Sequence, residues 1–206
     1  MRVPSKPRVP ANPATSPALP AAARLRRRAW LALAGWSGLV PWQPAEARTP
    51  GEVDVGQELR DAQMDGLNGP SRRLSSFRGK PLIINVWASW CGPCRAEMAS
   101  LERLAWGDLA PHFQIIGIST DDYRDRALAF MRQSNATISH YIDHKLELEY
   151  MLGATHLPLT VLVDARGRVL EKVAGAKEWD GPEARAFIQG AFGIGRAGTR
   201  RNAAGR

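Results

Sequence analysis

The chain has 206 residues, 44% of them hydrophobic, which suits one domain of ordinary size with appendages. Its formal net charge of +8 is unevenly placed: residues 1–47 hold seven basic groups against Glu46, residues 193–206 hold four arginines and no acid, and the stretch between is slightly acidic. No basic run in that stretch is interleaved with aromatics, which speaks against nucleic acid as a partner.

Residues 1–47 read as an export segment. A basic cluster at residues 24–28 precedes the apolar run "AWLALAGWSGLV", and "AEA" ending at Ala47 has the small-x-small form of a cleavage site. The run has 12 residues, short of the roughly 20 that a spanning helix needs. The expectation is therefore a cleaved signal peptide with a mature start near Arg48, an uncleaved N-terminal membrane anchor being the alternative. "RRAWL" loosely resembles a twin-arginine signal, but Arg26 stands where a small hydroxyl residue is usual.

Residues 48–192 are expected to form the folded domain, and residues 193–206 a disordered basic tail with too few apolar groups to fold. Residues 81–87 (PLIINVW), 113–119 (FQIIGIS) and 159–164 (LTVLVD) are short apolar runs rich in branched residues, as strands buried on both faces should be. Residues 168–175 (RVLEKVAG) alternate and read as the hairpin partner of the third run, at a sheet edge. Helices are predicted over residues 94–104, 125–133, 144–152 and 182–192, the last with Pro182 in its first turn and Asp180 as cap. This order implies a βαβ unit with a right-handed crossover joined to an antiparallel ββα unit.

Both cysteines lie in "WASWCGPCRAEM", where a strand passes through a tight corner into a helix. Cys91 falls at the helix N-terminus and Cys94 one turn inside it, and residues three apart share a helix face, so the sulfurs can reach each other. A disulfide closing so short a loop staples little, which leaves chemistry or metal binding. Cys91, at the mouth of the corner, is the expected attacker. A free thiol of pKa about 8.5 is only about 3% ionised at pH 7; the helix dipole raises that to about 14%, and N–H groups following Pro93 can add to the shift. Cys94 must in turn lose its proton to resolve the mixed disulfide. Glu97, three residues on, is the expected carrier, partly buried and with a raised pKa, while Asn85 on the preceding strand cannot titrate. Pro158, just before the third apolar run, disfavours helix at Leu157 and fits a tight cis turn.

Trp90-Cys91-Gly92-Pro93-Cys94 after a buried strand, with Pro158 before a later one, resembles the thioredoxin superfamily. The stretch from Phe77 resembles its exported TlpA/ResA-type members, with Gly79, Lys80, Asn85 and Glu97 matching the usual pattern. The resemblance extends over residues 53–192, including "GISTDD" and "VLVDARGRVL". It implies an α/β, thioredoxin-like fold: a central mixed β-sheet flanked by helices, with an N-terminal β-hairpin extension.

It also implies a thiol-disulfide oxidoreductase that reduces disulfides in exported proteins, in cytochrome c or cytochrome oxidase assembly among other settings. Pro158 would be cis and opposite Cys91, with Trp90, Gly92, Pro93 and Leu157 meeting the substrate. The redox-active disulfide would serve without a further cofactor, in a periplasmic or membrane-anchored monomer re-reduced by a membrane thiol relay. Two departures stand out. Ala99 replaces a frequent proline, and Leu159 and Thr160 follow Pro158 where the cytochrome c branch usually carries an acid, which weakens apocytochrome as the substrate.

Other functions place other demands on the same residues. A zinc site from the two cysteines with His140 and His144 has far too long a gap after Cys94 for the common finger. A copper-handling metallochaperone would use the cysteine pair and a histidine such as His156, beside the expected cis turn. An oxidant usually keeps a charge between its cysteines, and Gly92-Pro93 adds none. A peroxidase needs a lone reactive cysteine in a Thr-containing loop, and no such segment occurs. Trp106 and Trp179 read as packing residues.

Overall fold

The computed structural model describes residues 49–195; the export segment and residues 196–206 of the expected tail lie outside them. The chain runs β1 (Gln63–Gly66), β2 (Arg72–Arg73), β3 (Leu82–Trp87), α1 (Gly92–Ala105), β4 (Gln114–Ser119) and α2 (Arg124–Gln133). It continues through β5 (Ser139–Ile142), α3 (Glu147–Leu152), β6 (Leu159–Val163), β7 (Val169–Ala174) and α4 (Pro182–Phe192).

The seven described strands form one sheet in the order β2-β1-β5-β4-β3-β6-β7. β3, β4 and β5 are parallel neighbours, β6 and β7 extend the sheet antiparallel on one side, and the β1–β2 hairpin joins β5 antiparallel on the other. This is the mixed sheet of a thioredoxin-like fold, hairpin extension included. The βαβ unit read from the sequence has one further parallel strand, β5.

Every residue of β3 is buried because both faces of the sheet are covered, which is why its sequence, Asn85 apart, is apolar throughout rather than alternating. Leu82, Ile84 and Val86 pack with Leu148, Met151 and Leu152 of α3 and with Val53, Leu74 and Phe77 of the N-terminal stretch. Ile83 packs on the other side with Leu101 and Leu104 of α1 and Ile188 of α4, and Trp87 with Ala127, Phe130 and Met131 of α2. Asn85, between Ile83 and Trp87, therefore faces α1 by the two-residue period of the strand. In register it lies beside Gly117 of β4 and Thr160 of β6.

Two helix starts, by two residues or more, and one helix cap differ from the sequence reading. α1 begins at Gly92, so Cys91 is its N-cap and Pro93 sits in its first turn. α3 begins at Glu147, not residue 144, because the Asp143 carboxylate accepts the N–H groups of Glu147, Leu148 and Glu149 and so caps the helix there. Leu146, at φ +56°, keeps the preceding residues out of the helix. α4 starts at Pro182 as expected, but its N-cap is Gly181; Asp180 is not the cap and pairs with Arg103 instead. At its other end Gly193 is left-handed, the Ile194 N–H returns to the Gln189 carbonyl, and Ile194 packs on the core, so residues 193–195 close the helix.

Candidate active site

The corner between β3 and α1 is held from three directions. The Cys91 N–H donates to the Ala88 carbonyl at 3.1 Å, and the Thr120 N–H donates to the Trp87 carbonyl at 2.9 Å. Buried Asp121, just past β4, accepts from the Ser89 N–H at 2.9 Å, the Ser89 hydroxyl at 2.6 Å and the Ser119 hydroxyl at 2.7 Å. The turn is thereby fixed to the neighbouring strand, and it presents Trp90 with 71% of its surface exposed.

Cys91 and Cys94 form a disulfide with S–S 2.05 Å. Gly92 and Pro93 between them are exposed, while the cysteines are 5% and 1% exposed, so Cys91 is the one that a partner can reach. As N-cap, Cys91 uses its Sγ where a serine or aspartate would use oxygen, accepting the Cys94 N–H at 3.2 Å. That donor, together with the helix dipole, favours negative charge on Cys91.

The Leu157-Pro158 peptide bond is cis, with Pro158 buried at the start of β6. Half-buried Leu157 packs against the cluster of Trp87, Cys91, Cys94 and Met98. Residues separated by more than sixty positions thus meet around one disulfide.

Glu97 lies one turn beyond Cys94 on α1 and is 2% exposed. Its Oε1 accepts from the Trp179 indole N–H at 2.5 Å and the Lys177 N–H at 3.2 Å; its Oε2 accepts from the Asn85 amide at 2.9 Å. The same Asn85 amide donates to the Thr160 hydroxyl at 3.0 Å, tying the network to the strand that follows the cis proline. Burial raises the Glu97 pKa above the usual carboxylate range, and the Trp179, Asn85 and Lys177 donors pull against it. Burial favours the protonated form of this carboxyl while three donors still receive the ionised one, so it can take up and give back a proton, as catalysis beside a thiol requires.

Trp179 is therefore more than the packing residue its sequence context suggests: fully buried, it also donates to Glu97. Thr160 is a second member of the network that the linear sequence did not single out. One signal was available for Trp179, because Glu97, Ser100 and Arg103 recur every three residues along one stripe of α1. Trp106, by contrast, is 75% exposed and donates to the Thr137 hydroxyl.

His140 lies in β5, 1% exposed, where its Nδ1 accepts from the Trp87 indole N–H at 3.1 Å and its ring packs edge-on to Trp87. Gly117 makes room for this pair, since a Cβ there would come within 2.1 Å of His140 Nδ1. His144 is exposed in the turn before α3, and His156 is exposed beside Thr155. Among the described residues no three His, Cys, Asp or Glu side chains gather into a group able to hold a metal ion.

Burial holds the His140 imidazole pKa down at about 3 against an ordinary 6.5. Below about pH 6.5 the unfolded chain takes up a proton that the folded chain refuses, so stability should fall as pH drops towards 3, by about 1.4 kcal/mol per pH unit. Denaturant titrations between pH 6 and 4 should show this slope reduced by that amount in His140→Gln, whose amide oxygen can still accept from Trp87. An equal slope in both proteins would assign the acid sensitivity to other groups.

The Redoxin family model matches residues 54–188. Thiol-disulfide oxidoreductase ResA of Bacillus thuringiensis subsp. konkukian is 27% identical over 124 residues, which span 60% of this chain and 72% of that protein. Thiol:disulfide interchange protein DsbE of Vibrio cholerae is 32% identical over 126 residues, spanning 60% of this chain and 66% of the relative. A crystal structure described as a thiol:disulfide interchange protein DsbE from Chlorobium tepidum superposes with a TM-score of 0.63 at 26% identity, covering 68% of this chain and 99% of that one.

Proposed function

We propose that this chain, which belongs to the Redoxin family and is a thiol-disulfide oxidoreductase of the TlpA/ResA type, works as a reductant of disulfides in exported proteins. The observation that carries this reading is the Cys91–Cys94 disulfide at the start of α1 with buried Glu97 one turn further along the same helix.

In the reduced protein, the Cys91 thiolate attacks a substrate disulfide, forming a mixed disulfide and releasing one substrate thiol. Cys94 then passes its proton to Glu97, attacks the Cys91 sulfur and releases the second substrate thiol. Two electrons leave the dithiol, and the Cys91–Cys94 disulfide results. The cis Leu157-Pro158 turn, with Trp90, Gly92 and Pro93, forms the surface on which an extended substrate segment rests. No cofactor beyond the disulfide is needed for these steps.

Residues 1–47 fit an export signal or anchor, which supports a domain that works in the periplasm or on the outer side of the inner membrane; we take it to act there as a monomer. A membrane thiol relay there returns the disulfide to the dithiol. Cytochrome c or cytochrome oxidase assembly is one destination for such reducing power.

The direction of electron flow is tested by presenting the reduced domain with a disulfide-bonded protein and the oxidised domain with a reduced, unfolded one. Reduction of the first should be the faster reaction by at least an order of magnitude. Faster oxidation of the second would make the chain an oxidant, and stoichiometric copper binding by the reduced domain would favour a metallochaperone.

A further inference from the structure

Four consecutive residues before α4, Lys177 to Asp180, lie along α1 and bond to each step of one stripe on it, buried Glu97 and Ser100 and exposed Arg103. The Lys177 N–H and the Trp179 indole reach Glu97. The Trp179 N–H donates to the Ser100 hydroxyl at 3.0 Å, and that hydroxyl donates to the Glu97 carbonyl at 2.8 Å and lies 3.3 Å from the Lys177 carbonyl. Arg103 grips both Asp180, at 2.5 Å, and Glu178, at 3.2 Å. The arrangement is a strap over the helix that carries the active-site cysteines. Its centre, Trp179, is fully buried among Ile83, Leu101, Leu162 and Ile188 and has little freedom to move.

The strap does not treat the two Glu97 oxygens alike. Oε1 receives two donors, which occupy its lone pairs, while Oε2 receives only the Asn85 amide and keeps one lone pair free. The geometry points to Trp179 as a positioning residue that holds Oε1 and leaves Oε2 to take the Cys94 proton. In that step the Cys94 S–H bond breaks and an O–H bond forms at Oε2, the electron pair staying on the sulfur that attacks Cys91. The inference rests on the proton-carrying role of Glu97 given above.

The charged surroundings leave the indole as the main lever on this carboxyl. β3 and β6 offer Glu97 only Asn85 and Thr160, which carry no charge. On α1, exposed Arg95 is turned to Gln133 and to the Phe130 ring, and Arg103 is occupied by Asp180 and Glu178. On α4, Arg185 pairs with Asp108. Lys177 and Glu178 line a shallow depression with Ala96, Ser100 and Ala176 that reaches Glu97 from solvent, a route by which its proton exchanges with water.

Trp179→Phe keeps an aromatic, apolar side chain in the pocket, smaller than the indole, and removes the N–H. The experiment mixes reduced protein with a chromogenic aryl disulfide and follows the second thiol released, the product of the Cys94 step, as a function of pH. Losing a donor to a carboxylate should move the midpoint of that profile upward by about one to two pH units and leave the first release unchanged. In a Glu97→Gln background the same substitution should move nothing. An unmoved midpoint in Trp179→Phe, or an equal shift without Glu97, overturns the assignment. Should Trp179→Phe fail to fold, Ser100→Ala, which loosens the strap, must give a smaller shift in the same direction, and none overturns it. If Glu97→Gln alone leaves the profile as in the parent, the fault lies with Glu97 as proton carrier, not with the strap.

Discussion

Replacing Cys94 by serine should let the reduced protein attack a disulfide once and then stop, with close to one equivalent of mixed disulfide accumulating on Cys91 and turnover falling to background. The roles follow from where α1 begins. Cys91 is the N-cap, more exposed than Cys94, and its sulfur accepts an N–H from the first turn, which favours thiolate there. Cys94 is sealed behind it at 1% exposure and can reach only Cys91. Cys91→Ser should therefore lose both steps and trap nothing. Mass spectrometry of the quenched reaction separates the cases, and accumulation on Cys94 in the Cys91→Ser protein would reverse the assignment.

Glu97→Gln should slow the resolving step by about a hundredfold at neutral pH, the usual range for loss of a general base, while the first attack keeps its rate. The pH midpoint of the second step should vanish with the carboxyl. The substitution is compatible with the site. The new amide oxygen keeps the Trp179 and Lys177 donors, the Asn85 amide turns over to meet the new NH2 group, and the Thr160 hydroxyl reverses to donate to Asn85.

Stability reports on the same residue independently. A carboxyl whose folded pKa is raised favours folding at low pH, and that contribution is lost as pH rises through the folded value. Glu97→Gln should remove this loss, making the variant the more stable protein relative to the parent as pH rises past the carboxylate range. Stopped-flow traces at pH 7 and denaturant titrations across pH 5 to 9 read the two effects separately. A resolving rate equal to that of the parent would remove Glu97 from the mechanism.

Much of this site is written in local sequence. The three apolar runs became β3, β4 and β6 because full burial on both faces leaves no alternation to obscure them. The cysteine spacing located the corner, and Pro158 located the cis turn. β5 escaped because it is four residues long, SHYI, and carries its histidine inward. Its polarity is tolerated only because Trp87 supplies a donor and Gly117 supplies space, both distant in the chain.

Asp180 looked like a helix cap for the same reason that Trp179 looked like packing. Each fits a local rule, and each is claimed by α1 some 80 residues earlier, through Arg103 and Glu97. The carboxyl-bearing stripe on α1 was visible as a spacing, but its partner was not, since which loop lies over a helix is decided by the packing of α4.

The claim that this dithiol runs as a reductant comes down to one number, the reduction potential of the Cys91–Cys94 pair, measured by equilibration with glutathione or dithiothreitol. The account predicts a value more negative than about −230 mV, in the range of thioredoxin-like reductants, because Gly92-Pro93 adds no charge to stabilise the Cys91 thiolate beyond the helix start. A value near −120 mV, typical of a protein that hands disulfides out, would contradict it.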